Sequence, residues 1–216
     1  MKIKLISISL ALGLLTNAVS AGNSAKVGYS SDFFYRGAQK AEESVQSSLM
    51  LSHSLSEFSA SAHICSNQAI DSGVDSYYMG LGLEKSFSDG LISLYGGLNR
   101  FEDKPGNALS EAQLKASLDM PLSPEISIYR DLSDDLYTYE VEASYMFENE
   151  ISDLLLNGSI GNTELTSSNE TVYYSVGASV SKSFSETSAL GLGLSYVDAD
   201  DLDSEYVWST AFTFNF

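Results

Sequence analysis

The segment Glu205-Tyr206-Val207-Trp208-Ser209-Thr210-Ala211-Phe212-Thr213-Phe214-Asn215-Phe216 closes the chain and decides how the rest is read. Counting back in twos from Phe216 places Phe214, Phe212, Thr210, Trp208 and Tyr206 on one face. Asn215, Thr213, Ala211, Ser209, Val207 and Glu205 fall on the other. A period of two is the period of a β-strand, whose successive side chains point to opposite sides. The aromatic face runs to the last residue, with no polar tail to cover it. In a soluble sheet such an edge invites aggregation, so this face is expected to meet lipid or a covering partner.

The same alternation recurs upstream in segments of roughly ten to fourteen residues separated by turn chemistry. Ala112, Leu114, Ala116, Leu118 and Met120 oppose Glu111, Gln113, Lys115, Ser117 and Asp119. Tyr137, Tyr139, Val141, Ala143, Tyr145 and Phe147 oppose Thr138, Glu140, Glu142 and Ser144, and Val172 to Val180 oppose Tyr173 to Ser179 in the same way. A first strand is expected from about Ala25 to Arg36, with Val27, Tyr29, Phe33 and Tyr35 outward. The seventh segment, carrying Ile126 and Ile128, is short. The ninth, near Asp153 to Gly161, is ambiguous because Leu154, Leu155 and Leu156 are consecutive.

Connections fall into two alternating sets. Short turns are expected at Ser56-Glu57, Ser88 to Gly90, Pro121 to Pro124, Glu148 to Glu150 and Ser185 to Thr187. Longer, more acidic loops are expected at Gly37 to Glu43, Ser66 to Asp75, Glu102 to Leu109, Thr163 to Glu170 and Asp198 to Asp203. Last strands of bacterial outer-membrane barrels end like this one, and those barrels have short periplasmic turns, longer outer loops and an even strand count. The expected fold is therefore all-β: a single closed antiparallel transmembrane β-barrel of about 12 strands. A lipid-embedded sheet must close, because hydrocarbon offers no partner for an open edge. A secreted β-sandwich also alternates, but it leaves the terminal aromatics and the alternating loop lengths unexplained.

The first residues read differently. Lys2 and Lys4 precede an apolar run from Leu5 to Leu15 and a small-residue exit ending at Ala21. That is the pattern of a secretory signal peptide, giving a division into 1–21 as leader and 22–216 as barrel. The run is shorter than the roughly 20 residues of a membrane span. The formal net charge of -18 becomes -20 once Lys2 and Lys4 are removed, which argues against nucleic acid as a partner. The single Cys65 excludes an internal disulfide framework.

Inward positions decide what a barrel conducts. The register assigns to the lumen or its mouth Asp32, Arg36, Gln46, His63, Tyr78, Glu84, Tyr95, Asn99, Glu111, Gln113, Lys115, Tyr129, Glu140, Glu142, Tyr173 and Glu205. Of these, Asp32, Arg36, Glu84, Lys115, Glu140 and Glu142 are the candidate selectivity residues. Acids outnumber bases, so a pore is expected to prefer cations. Arg36 is expected to pair with Asp32 or with an acid across the lumen. The acidic run Asp198 to Asp203 lacks the Gly and terminal Glu of a calcium loop, no phosphate loop or other cofactor motif is present, and the only histidines, His53 and His63, belong to no visible triad. No cofactor, metal or catalytic residue is therefore assigned, and the chain is not read as an enzyme.

Ser31-Asp32-Phe33-Phe34-Tyr35-Arg36-Gly37, followed by Gln39 and then Val45-Gln46, resembles the opening of a bacterial family of porin-like outer-membrane proteins known as conserved hypothetical proteins. Its members begin Ser-Asp/Asn-Tyr-x-Phe-Arg-Gly with a Gln shortly after; Arg36-Gly37 match directly, and Phe33 and Tyr35 stand at the aromatic positions. The likeness covers the first third of the chain and departs from it in its Ser richness and short seventh segment. It implies a porin-like channel for small solutes in the outer membrane, with no established substrate. Expected partners are outer-membrane lipid and lipopolysaccharide, the barrel-assembly machinery through Phe216, and the solutes themselves; the alternative is a non-conducting barrel whose acidic outer loops bind a partner or lipid.

Overall fold

The computed structural model describes residues 22–70, 73–104, 106–166, 169–200 and 202–216; the expected leader, 1–21, lies outside them. Fourteen strands follow in order: β1 (Ser24–Ser30), β2 (Phe33–Tyr35), β3 (Ala38–Ala41), β4 (Ser44–Leu55), β5 (Phe58–Ala69), β6 (Ser76–Phe87), β7 (Ile92–Asp103), β8 (Asn107–Leu118), β9 (Glu125–Asp131), β10 (Tyr137–Phe147), β11 (Asp153–Thr166), β12 (Asn169–Ser185), β13 (Ser188–Ala199) and β14 (Leu202–Asn215). Twelve of them, β1 and β4 to β14, pair antiparallel with their neighbours into one closed barrel. β2 and β3 form a separate two-stranded hairpin. Closure is made by the two ends of the chain, with Val27 opposite Phe212 and Tyr29 opposite Thr210, while β1 also pairs with β4 through Tyr29 and Val45. The Phe216 amide donates to the Asn23 carbonyl at 3.2 Å, so the terminal residue itself is tied into the seam.

The alternation found in the sequence is the alternation of the wall. Leu81, Leu98, Leu114 and Leu192, on four different strands, are each 60% exposed or more. Their faces form a belt of bare aliphatic side chains around the barrel, far larger than water tolerates on a soluble protein. Aromatic rings flank the belt. Tyr29 meets Trp208 with centroids 4.9 Å apart, and Tyr196 meets Tyr206 at 5.3 Å, towards the outer ends of their strands. At the opposite rim Tyr145 packs on Phe147 at 4.4 Å, and Lys85 reaches Glu57 at 2.7 Å over the faces of Phe58 and Phe87. Rings at both interfaces and a cation reaching out of the apolar zone are how a barrel seats itself in a bilayer.

The ambiguous ninth segment resolves through its pairing. Leu154 and Leu156 sit opposite the outward Phe147 and Tyr145, whereas Leu155 sits opposite Met146 and turns inward. The loops differ from expectation. Glu102 to Leu109, Thr163 to Glu170 and Asp198 to Asp203 are mostly strand, because their polar residues continue the ladders of β7–β8, β11–β12 and β13–β14 beyond the apolar belt. These outer ends are therefore an extension of the barrel wall, whereas the stretch from β1 to β4 makes a long excursion.

That excursion also corrects the first strand. β1 ends at Ser30, and Phe33 and Tyr35 do not belong to the lipid-facing wall. Ser30-Ser31-Asp32 interrupts the apolar period: Ser30 Oγ donates to the Asp32 carbonyl at 2.5 Å, a local side-chain bond that competes with the ladder. The chain then turns back through Arg36 and Gly37, with φ of 51° and 76°. Two successive left-handed residues define the tight hairpin turn whose twist matches its strands, and Gly is the residue that adopts it freely.

Candidate functional site

The hairpin folds into the outer half of the lumen and docks on the inner wall. Tyr35 stacks on Phe101 of β7 with centroids 4.1 Å apart and planes 9° from parallel. Its hydroxyl donates to Glu111 Oε2 of β8 at 3.2 Å. Arg36 makes a two-pronged pair with the same carboxylate: Nη2 to Oε2 at 2.7 Å, and Nη1 to Oε1. The guanidinium lies over the ring of Tyr129 on β9, 4.0 Å from its centroid. Side-chain exposure is 10% for Arg36 and 3% for Glu111, so the pair is withdrawn from bulk water. Lys40 adds a second tie, to Asp103 at 3.1 Å. Gly37 lies against Tyr173 of β12, where a Cβ would come within 2.8 Å of the tyrosine Cβ. One short hairpin thus bridges wall strands from β7 to β12.

Polar side chains fill the wall around it. Asn99 donates to Gln113 at 3.0 Å, and Gln113 to the Tyr129 hydroxyl at 3.2 Å. Tyr173 donates to Glu140 Oε2 at 2.5 Å. Gly161 makes room for that tyrosine, since a Cβ there would meet the ring at 2.3 Å. Below the hairpin the lumen opens into a cavity of about 390 Å³, lined by Ser93, Ser117, Ser144, Ser159 and Ser175, by Asn157, and by the carboxylates of Glu125 and Glu142. These serines come one each from inward positions of β7, β8, β10, β11 and β12.

The structure places the six candidate residues unequally. Glu84, Lys115, Glu140 and Glu142 are on inward positions of β6, β8 and β10. Lys115 pairs with Glu125 at 3.2 Å. Arg36 reaches the lumen from the hairpin tip, and its partner is Glu111, not Asp32. Asp32 instead accepts from Ser31 Oγ at 3.0 Å and Gln39 Nε2 at 2.8 Å at the hairpin base. Glu111 stood among the inward residues without a role of its own, and Lys40 and Phe101 were missed. Lys40 lay in a stretch read as outer loop, and nothing in a single sequence says that this loop folds inward.

Three inward bases are paired with inward acids, Arg36 with Glu111, Lys40 with Asp103 and Lys115 with Glu125, whereas Lys26 of β1 faces the lumen with no carboxylate partner among the described residues. Among the described residues Glu84, Glu140 and Glu142 have no basic partner, and they leave the lumen negative. At the acidic outer end of β13, Asp198 accepts from Tyr174 at 2.6 Å and Tyr196 at 3.3 Å.

No protein-family model matches the sequence, and no curated protein is similar to it. Solved structures are similar in fold. The KdgM porin aligns with a TM-score of 0.59 at 12% identity over 89% of this chain and 99% of its own. The NanC porin gives 0.59 at 12% over 90% and 100%, and an outer membrane channel from Pseudomonas putida F1 gives 0.58 at 11% over 92% and 97%. The fold is that of an outer-membrane β-barrel. At these identities the likeness concerns architecture, and it agrees with the apolar belt and aromatic rims in placing this barrel in the outer membrane. What passes or binds inside rests on this barrel's own lumen.

Proposed function

We propose that the barrel is a channel for passive diffusion of small solutes across the outer membrane, with a preference for cations. The observation that carries this reading is the charge balance of the lumen: each of Arg36, Lys40 and Lys115 is neutralised by a carboxylate, and Glu84, Glu140 and Glu142 remain against one unpaired base, Lys26. In a narrow, low-dielectric passage uncompensated carboxylates raise the local concentration of cations and repel anions. The serine-lined chamber supports the same reading, since hydroxyls replace the hydration of a passing polar solute without holding it. The KdgM porin is known in complex with oligogalacturonate; a chain of carboxylates entering the present lumen would meet carboxylates, so the shared fold does not carry that solute over.

One observation favours a second reading. The docked hairpin occupies the outer lumen and covers Glu111, whose side chain is 3% exposed, which suits a non-conducting barrel that works through its acidic outer rim. Liposome swelling separates the two. Proteoliposomes should admit small cationic solutes faster than anionic ones of equal size, and Glu140→Gln with Glu142→Gln should reduce that ratio. Vesicles that stay impermeable to both solutes would sink the channel reading.

A further inference from the structure

The wall residues around Arg36 form a cage suited to one chemical group. Glu111 presents both carboxylate oxygens to two guanidinium nitrogens, and Tyr129 presents its ring face 4.0 Å from the guanidinium carbon. A planar fork of N–H donors matched to a carboxylate and stacked on an aromatic face is the recognition geometry of a guanidinium; a compact ammonium satisfies it poorly. Arg36 fills this cage from the tip of a hairpin that is not part of the barrel wall. The geometry points to Glu111 and Tyr129 as a binding site for small guanidinium-bearing solutes, occupied in the resting barrel by Arg36 as a tethered stand-in. A solute that takes the cage releases the hairpin and widens its own path. This rests on the channel reading and adds a solute class to it.

The hairpin pairs with no strand of the wall and is held there by side chains, as displacement requires. Its turn, with Arg36 at φ 51° and Gly37 at φ 76°, is closed by the pairing of Tyr35 with Ala38 inside the hairpin and needs no contact with the wall. The Arg36–Glu111 pair ties the hairpin tip to β8, which makes a competitor for that carboxylate the natural trigger.

The test uses the full mature barrel and methylguanidinium, the end group of an arginine side chain. In Arg36→Ala the cage lacks its stand-in, and methylguanidinium chloride should interrupt potassium current at a concentration about tenfold or more below that needed in Arg36→Ala/Glu111→Gln, the contribution expected of a charge-assisted pair. Tetramethylammonium should show no such dependence on Glu111. In the unaltered barrel methylguanidinium should lengthen the wider conductance state and speed chymotrypsin cleavage at Phe34 and Tyr35. A second readout needs no current: methylguanidinium should raise the melting temperature of Arg36→Ala in detergent and leave that of the double variant unchanged. Equal responses in the two variants overturn the site and leave the channel reading standing. A silent barrel with Glu111-dependent thermal stabilisation overturns the channel reading and leaves the site.

Discussion

Glu111→Gln asks whether the hairpin is a fixed strut or a latched part. The substitution keeps the shape of the side chain and removes its charge, which strands the Arg36 guanidinium at 10% exposure without a counter-ion. Holding an unpaired charge in a buried site costs about 3–5 kcal/mol. Undocking avoids that cost by returning Arg36 to water. It forfeits the Tyr35–Phe101 stack, about 0.5–1.5 kcal/mol, and the Arg36–Tyr129 contact, about 0.5–2 kcal/mol. The stranded charge costs more than either contact, so the hairpin tip should lift off, with Lys40–Asp103 the remaining tie at its base, while the wall, whose twelve strands do not pair with it, stays intact. Two assays read this: single-channel conductance, which should shift to a wider level, and trypsin cleavage after Arg36 and Lys40, which should become fast on folded barrels. Wild-type conductance and wild-type resistance to trypsin, with only a lower melting temperature, would refute the latch and make the hairpin a fixed part of the fold.

Other positions test the remaining claims. Leu114, outward and 66% exposed, should tolerate Arg poorly: Leu114→Arg should cost about 2–4 kcal/mol, read by urea titration of folding into vesicles, whereas Ser117→Arg, on the inward face of the same strand, should cost far less. Gly161→Ala drives a methyl into the Tyr173 ring, 2.3 Å away; overpacking of this kind costs about 1–3 kcal/mol and should break the Tyr173–Glu140 bond, seen as a lower melting temperature that Tyr173→Phe does not reproduce in full. Deleting Phe216 should slow assembly in cells through loss of the expected handle for the assembly machinery, while refolding of the purified chain into detergent proceeds. Mass spectrometry of the exported protein should give a mature chain starting at Gly22; an intact amino terminus would remove the leader.

The wall was legible in the sequence because a membrane barrel imposes one rule on every strand. Leu114 and Lys115, or Val141 and Glu142, announce their faces by chemistry alone, and that period survives any detail of packing. The hairpin was not legible, because Phe33, Phe34 and Tyr35 are as apolar as a lipid-facing strand, and alternation cannot distinguish lipid from the stacked face of Phe101. The break at Ser30-Ser31-Asp32 and the glycine of Arg36-Gly37 were the available signs of a turn. The acidic outer stretches misled for the opposite reason: residues such as Glu164 and Glu170 look like loop, yet strands that rise beyond the bilayer need no apolar face.

The most direct test of the account is the current through refolded, heat-modifiable barrels in planar bilayers, with the reversal potential measured under a salt gradient. The account predicts discrete steps whose reversal potential shows cation preference and moves towards zero in Glu140→Gln/Glu142→Gln. Folded barrels that pass no current, or steps that favour anions and ignore those substitutions, would contradict it.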